Sequence, residues 1–147
     1  MRATFYKSIA TLQSEGWITA EGVLVPEHDA AHVHWGGDWR MPTDAEISAL
    51  ISNCTTTWIT TNGVPGRLVT GKGAYANRSI FLPAAGYGND SGLNYPGSYG
   101  LYWSSTPDSG DSDYAWLLYF SSSDFSSRYG SYRYNGQSVR PVQGFTE

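Results

Sequence analysis

Three histidines near the N-terminus have the spacing that comes nearest to a metal-binding pattern. His28, His32 and His34 lie close together, and on a helix His28 and His32 would share a face. Zinc sites usually need three or four such ligands in a fixed geometry. A structural or surface role does not require that geometry, so we expect no metal site and no cofactor.

The acidic segment 108–113, Asp-Ser-Gly-Asp-Ser-Asp, is the next candidate for chemistry. An EF-hand loop needs ligands at alternate positions, a glycine at position 6 and a glutamate at position 12. This segment lacks that spacing, and an exposed acidic turn explains it better. Asp108 and Asp113 could also form a carboxylate pair, but flexible Ser and Gly neighbours would not hold such a pair rigidly.

Cys54 is the single cysteine, which excludes an intrachain disulfide. It follows a predicted helix, and a helix C-terminus disfavours the thiolate form. We therefore expect a buried, small hydrophobic residue. The sequence contains no Gly-x-Ser-x-Gly elbow, phosphate-binding loop or His-Glu-x-x-His motif. We expect no catalytic residues and no enzyme activity.

Composition limits the class of protein. The chain has 147 residues, a net charge of −4 and 15% aromatic residues. The length predicts a single domain over residues 1–147, and the acidic balance disfavours nucleic acid as a partner. No apolar run approaches the ~18 residues of a membrane span. The N-terminus lacks a long apolar stretch, so we expect no signal peptide.

One main helix and a series of short strands must position any site. Thr43 and Glu46 form a capping-box pattern, and the apolar residues that follow predict a helix over about 43–53. Asn62-Gly63 predicts a turn between two strands. Residues 16–25 indicate a strand or hairpin, 26–35 a helical turn, and 86–100 a long irregular loop. The predicted strands are 54–61, 67–70, 79–82, 100–105, 115–122, 128–134 and 138–142.

Four separated segments together resemble the Fibrobacter succinogenes major paralogous domain family. They occur in the same order as in that family and span most of the chain. The resemblance implies an α+β, C-type-lectin-like fold: short twisted antiparallel strands, one main helix and long loops that carry the binding surface. The four segments are 29–46, 79–87, 102–105 and 136–142.

Two further features qualify this resemblance. The segment Trp39–Thr43 with Glu46 is also similar to a motif of formylglycine-generating enzymes, whose site uses more than one cysteine; with one cysteine here, that activity is the weakest alternative. The Glu-Pro-Asn and Trp-Asn-Asp motifs with which many C-type lectins bind sugar and calcium are absent.

Lectin-fold domains of this kind also serve as variable proteins of diversity-generating retroelements. In those proteins adenines are randomised, usually at Asn codons, and the resulting codons cannot encode Lys, Glu, Gln, Met or Trp. Residues 107–135 contain no Lys, Glu, Gln or Met, although Trp116 would have to be fixed and the depletion begins at Gly73. The resemblance thus implies a variable ligand-binding region over about 98–142.

Within that region we expect polar and tyrosine residues to vary and bind ligand, because Tyr gives rigid contact area and Ser and Asp give adaptable hydrogen bonds. We expect a conserved framework at 102–105, Arg133, Gly136 and 139–141. The predicted ligand-binding residues are Asp108, Ser109, Asp111, Ser112, Asp113, Tyr114, Ser123, Asp124, Ser126, Ser127, Tyr129, Ser131, Tyr132 and Tyr134.

These observations favour a non-enzymatic ligand-binding protein, diversified by a phage or gut-type bacterial retroelement. We expect a protein or glycan ligand on a cell surface, and a location on a virion or cell surface. Between Ser79 and Ser127 the chain has five Asp and no Lys or Arg, so this stretch favours cationic or polar ligands. The main alternative is a fixed structural or adhesive domain of a bacterial surface protein. The oligomeric state is left open.

Overall fold

The computed structural model describes residues 7–144, in which a few short helices accompany mostly antiparallel strands. The α-helices are α1 (Ile9–Ser14), α2 (Ala30–Trp35) and α3 (Asp44–Asn53), and short 3-10 turns occupy Pro26–His28 and Gly73–Tyr75. The strands are β1 (Trp39–Arg40), β2 (Cys54–Thr61), β3 (Val64–Gly71), β4 (Ser79–Pro83), β5 (Tyr87–Asn89), β6 (Gly92–Asn94), β7 (Gly100–Pro107), β8 (Tyr114–Phe120), β9 (Phe125–Tyr132) and β10 (Val142–Gln143).

Antiparallel pairing organises the strands into two three-stranded sheets and two strand pairs. One sheet has the order β2-β3-β4 and the other β7-β8-β9, while β5 pairs with β6 and β1 with β10. The β1–β10 pair joins Trp39 to Gln143 and Arg40 to Val142, so it brings two segments far apart in sequence together. The architecture is therefore mixed α and β, as the sequence predicted. None of the helices in residues 7–144 is long and apolar enough to cross a membrane.

Helix α3 confirms the prediction made from the capping box. Thr43 is the N-cap: its hydroxyl accepts a hydrogen bond from the Glu46 amide at 3.2 Å, and the Glu46 carboxylate accepts one from the Thr43 amide at 2.9 Å. Arg40 donates two further bonds to that carboxylate, at 2.6 and 2.7 Å. The two capping-box bonds satisfy amides at the start of the helix, and the Arg40 bonds hold the Glu46 carboxylate in place.

The core lies between α3 and the two larger sheets. Ile47 of α3 packs there with residues from both sheets, and the Phe120 ring is completely buried. Gly100 allows β7 to approach that ring, because a Cβ on Gly100 would lie 2.0 Å from Phe120 Cζ. The buried cluster consists of Ile47, Val69, Leu82, Ala84, Tyr102, Leu118 and Phe120.

Elements defined by local signals match the sequence analysis, and those defined by distant contacts depart from it. Strand β2 has the predicted bounds, and Asn62 and Gly63 both have positive φ, as a tight hairpin turn requires. The prediction of an irregular loop over 86–100 is wrong in part, because β5 and β6 form a hairpin there. Segment 16–25 forms the hairpin that was one of its two predicted alternatives: an antiparallel bridge pairs Ile18 with Leu24, and the Thr19 amide donates to the Val23 carbonyl at 2.8 Å. Segment 138–142 contributes mainly a bridge from Ser138 to Tyr102.

Candidate ligand-binding surface

Eight tyrosines form two rows of contacting rings, most of them stacked. In the longer row, successive ring centroids lie 6.2, 4.7, 5.6 and 4.7 Å apart, from Tyr87 to Tyr129. In the shorter row, Tyr132 lies 4.5 Å from Tyr114 and 5.0 Å from Tyr134. We call these residues the tyrosine surface: Tyr87, Tyr95, Tyr99, Tyr114, Tyr119, Tyr129, Tyr132 and Tyr134.

The two rows border a single open concavity of about 410 Å³. Every member of the tyrosine surface except Tyr134 lines it, together with Leu101, Gly130, Ser131 and Asn135. Several rings remain open to solvent: Tyr95 is 54% exposed, Tyr129 47%, Tyr132 40% and Tyr134 46%. Aromatic rings gathered on a concave, exposed surface are typical of a recognition site.

Two separate parts of the chain position the rows. Strands β8 and β9 supply Tyr114, Tyr119, Tyr129 and Tyr132, whereas the segment before β7 supplies Tyr87, Tyr95 and Tyr99. Backbone hydrogen bonds hold that segment in place. The Gly97 amide donates to the Ala84 carbonyl at 2.7 Å, and the amides of Gly88 and Gly136 each donate to the other residue's carbonyl at 2.7 Å.

Gly86 is required where this segment leaves β4. Its φ is +73°, and a Cβ there would lie 2.1 Å from the Asn94 carbonyl oxygen. A glycine tolerates both the left-handed conformation and the close approach. The rings of Tyr95 and Tyr99 are therefore presented by a segment that local backbone bonds hold in place.

Two hydroxyl groups on the tyrosine surface, those of Tyr114 and Tyr119, have a raised pKa. A hydrogen bond with Tyr132 is the main cause that raises the pKa of Tyr114 to about 12, and the negative charge of Asp111 adds to it. Burial is the main cause that raises the pKa of Tyr119, and Asp124 contributes. At neutral pH these hydroxyls can both donate and accept hydrogen bonds.

The acidic turn between β7 and β8 uses its carboxylates to shape its own backbone. Asp108 accepts from the Gly110 amide at 2.8 Å, and Asp111 accepts from the Asp113 amide at 2.9 Å. Arg133 supports the turn by donating to the Tyr114 carbonyl at 3.1 Å. These contacts order residues 108–113, which form an acidic rim beside the shorter tyrosine row.

The structure brings some of the predicted ligand-binding residues together and separates others. Tyr114, Tyr129, Ser131 and Tyr132 line the concavity, and Tyr134 stacks on its edge. Ser123 and Asp124 line a neighbouring concavity. Ser126 pairs with Tyr119 across β8 and β9. The turn residues Asp108, Ser109, Asp111, Ser112 and Asp113 form the rim.

Ser127 and Ser131 have contacts within the scaffold. Ser127 lies beside α3, where the Ser48 hydroxyl donates to it at 3.2 Å. Ser131 is only 9% exposed, and its hydroxyl accepts from the Asn135 and Gln137 side chains at 3.3 and 3.0 Å. Both serines therefore have structural partners already.

Sequence reasoning missed half of the tyrosine surface. Tyr87, Tyr95 and Tyr99 fall in the segment predicted as an irregular loop. Tyr119 falls in the predicted strand 115–122 and was not among the predicted ligand-binding residues, yet it is half-buried and lines the concavity. The available signal was the density of tyrosine among Gly, Asn and Pro residues, which is unusual for a simple connection.

Two of the other chemical candidates contact neighbouring side chains. The His28 ring stacks on Trp17 with centroids 4.1 Å apart, and the half-buried Cys54 packs against the core. Within residues 7–144, no group of three or more His, Cys, Asp and Glu side chains is arranged to hold a metal ion.

Comparison with known proteins gives one match. A family model described as the Lcl C-terminal domain matches residues 17–143. No curated protein and no solved structure matches the chain. The matched range includes the entire tyrosine surface and the core.

Proposed function

The chain belongs to the Lcl C-terminal domain family, and from this premise we propose that it is a non-enzymatic ligand-binding domain. The match confirms the family resemblance carried by the four sequence segments. The observation that carries the proposal is the tyrosine surface, in which seven rings line one concavity and Tyr134 stacks on Tyr132 beside it. Tyrosine supplies large contact area at low entropic cost, since only two side-chain torsions become fixed.

The scaffold we propose is C-type-lectin-like. Short antiparallel strands, the main helix α3 and a long segment between β4 and β7 that carries part of the surface support this assignment. In such an arrangement the core maintains the fold while the surface determines what is bound.

We further propose that region 98–142 is diversified by a retroelement. Tyr129, Tyr132 and Tyr134 support this, because each is at least 40% exposed and none belongs to the buried cluster. Substitution there changes the contact surface at small cost to packing. A fixed adhesive domain is the second candidate, and it is favoured by Tyr87 and Tyr95, which contribute to the same surface from outside that region.

The ligand we propose is a protein or glycan on a cell surface, met by this chain on a virion or on another cell. The test is flow cytometry of fluorescently labelled chain against a panel of intact bacterial cells. Wild-type chain is compared with the combined variant Tyr129→Ala, Tyr132→Ala and Tyr134→Ala. We expect binding to fall at least tenfold, because central aromatic residues dominate interface energies.

Tyr75→Ala is the matched control, since Tyr75 is 63% exposed and lies outside the tyrosine surface. The triple variant should shift the melting temperature by less than about 3 °C, equivalent to under about 1 kcal/mol. Binding by the triple variant equal to that of wild type would contradict the proposal. A large loss of stability would show that the rings are structural, and wild-type binding no greater than background would exclude a ligand on the cells tested.

A further inference from the structure

A second concavity, of about 400 Å³, adjoins the tyrosine surface and shares Tyr99 and Tyr119 with it. Trp58 of β2 and the loop between β8 and β9 form its other walls. We call it the Trp58 pocket. Its volume lies within the ~300–1,000 Å³ typical of small-molecule sites. The residues that line it are Trp58, Gly97, Ser98, Tyr99, Tyr119, Ser121, Ser122, Ser123 and Asp124.

A buried arginine shapes one wall of this pocket. Arg67 is 8% exposed, and its guanidinium donates to the carbonyls of Ser121, Ser122 and Asp124 at 3.0, 3.1 and 3.4 Å. It also lies 6.0 Å from the centroid of the Trp58 ring. One charged group thus connects the loop to the aromatic wall. Such support lowers the entropic cost of binding, because the loop is already ordered.

The loop presents hydroxyls and a carboxylate as one connected network. The Ser121 and Ser123 hydroxyls donate to Asp124 Oδ2 at 3.3 and 3.0 Å. The Ser121 hydroxyl in turn accepts from the amides of Ser123 and Asp124 at 3.2 and 3.1 Å. Ser123 and Asp124 are exposed, so these polar groups are accessible from the pocket that they line.

The combination of aromatic rings, hydroxyls and a carboxylate limits the chemistry of the ligand. Anionic ligands are disfavoured because Asp124 is negative and the guanidinium nitrogens of Arg67 already donate to carbonyls and to Thr56. A cationic ligand is disfavoured because Arg67 lies over the same Trp58 ring that would attract it. A neutral polyol with one apolar face satisfies both constraints.

We propose that the Trp58 pocket binds one neutral hexopyranose unit directly. The C–H face of the sugar packs against the aromatic wall, and its hydroxyls donate to Asp124 and exchange hydrogen bonds with Ser123. This site does not depend on what the tyrosine surface binds. Because the two concavities share Tyr99 and Tyr119, a glycan or glycoprotein ligand could contact both at once.

The test uses methyl glycosides of glucose, galactose and mannose, each titrated into the isotopically labelled full chain while amide shifts are followed by NMR. We expect at least one glycoside to shift the amides of Ser121–Asp124. Asp124→Asn should weaken that binding at least tenfold, because hydrogen bonds to a charged acceptor are roughly twice as strong as neutral ones. Ser123→Ala should weaken it less. Both positions are exposed, so both variants should fold.

Asp90→Asn is the matched control, since this exposed aspartate lies between β5 and β6 and lines neither concavity. The double variant Tyr132→Ala and Tyr134→Ala leaves the Tyr119–Tyr129 stack intact and should keep full glycoside binding. Failure of this proposal is therefore separable from failure of the proposed function. The proposal is overturned if no glycoside shifts these amides or if Asp124→Asn binds as well as wild type. It is also overturned if EDTA abolishes binding, which would indicate a metal-dependent site, or if tetramethylammonium competes with the sugar, which would indicate a cation site.

Discussion

Asp29 shows how much one buried carboxylate can organise. It is 3% exposed, and its oxygens accept from the amides of Ala31, His32 and Met41 at 2.9, 3.1 and 2.9 Å. It therefore caps α2 and also fixes the chain just after β1. These bonds join two segments that the sequence analysis treated separately, although the family resemblance included both.

We predict that Asp29→Asn lowers the free energy of unfolding by about 2–3 kcal/mol, because an amide group cannot replace all of these charge-assisted bonds. Urea denaturation at pH 7 measures the effect. Asp90→Asn serves as the control, since Asp90 is exposed at the tip of the β5–β6 hairpin. A loss below about 0.5 kcal/mol, the range of ordinary surface substitutions, would mean that the Asp29 bonds contribute little.

Among the secondary-structure elements, α3 carries a capping-box residue, Glu46, whose ionisation makes the stability of the fold depend on pH. The hydrogen bond from Arg40 is the main cause that lowers the pKa of Glu46, and the Thr43 amide adds to it. Because the folded-state pKa lies below the unfolded value, Glu46 stabilises the fold above the unfolded pKa. That contribution is lost as the pH falls through the folded-state pKa.

We predict that Glu46→Gln reduces stability at pH 7 and makes it less sensitive to acid below about pH 4.5. The Glu46 side chain is 39% exposed, so solvent screening limits this charge effect to about 1 kcal/mol. Urea midpoints from pH 3 to pH 7 measure it, with the exposed Glu27→Gln as control. Parallel pH profiles for wild type and Glu46→Gln would contradict the prediction.

The range of the sequence signal explains which elements can be predicted from the sequence. α3 and the β2–β3 hairpin depend on signals within a few residues, namely the Thr43–Glu46 box and the Asn62-Gly63 turn. The β5–β6 hairpin is also local, because Asn89 accepts from the Ser91 amide at 2.9 Å in its turn, but the bridge from Gly88 to Gly136 that attaches it to the rest of the fold has no local signal. The tyrosine surface follows the same rule: composition identified Tyr129 and Tyr132, but only the fold brings Tyr95 beside them.

For the whole molecule, the structure separates the groups that maintain the fold from those that face solvent. The buried cluster draws on α3 and both large sheets, whereas the two concavities draw on other residues of β2, β7, β8 and β9 and on the connections between strands. Arg67 links the two regions, because its buried guanidinium orders the 121–124 loop of the Trp58 pocket. Changes at exposed tyrosines and changes in the core should therefore have independent effects.

This separation refines the prediction of diversification. If a retroelement rewrites region 98–142, substitutions should concentrate at exposed positions such as Tyr129, Tyr132 and Tyr134. Ser131 should stay constant, although its codon type allows change, because its buried hydroxyl accepts two side-chain hydrogen bonds. Trp116 should also stay constant, since a randomised Asn codon cannot encode tryptophan.

Deep sequencing of the coding segment in the source population measures this, with residues 54–83 as the internal control because β2–β4 lie outside the proposed variable region. Under the retroelement model, changes fall at adenines of a nearby, nearly identical repeat and spare the control segment. A region 98–142 that is as constant as the control, with no repeat or reverse transcriptase nearby, would exclude diversification. The tyrosine surface would then be a fixed binding site, as in an adhesive domain, because its geometry does not depend on how its sequence arose.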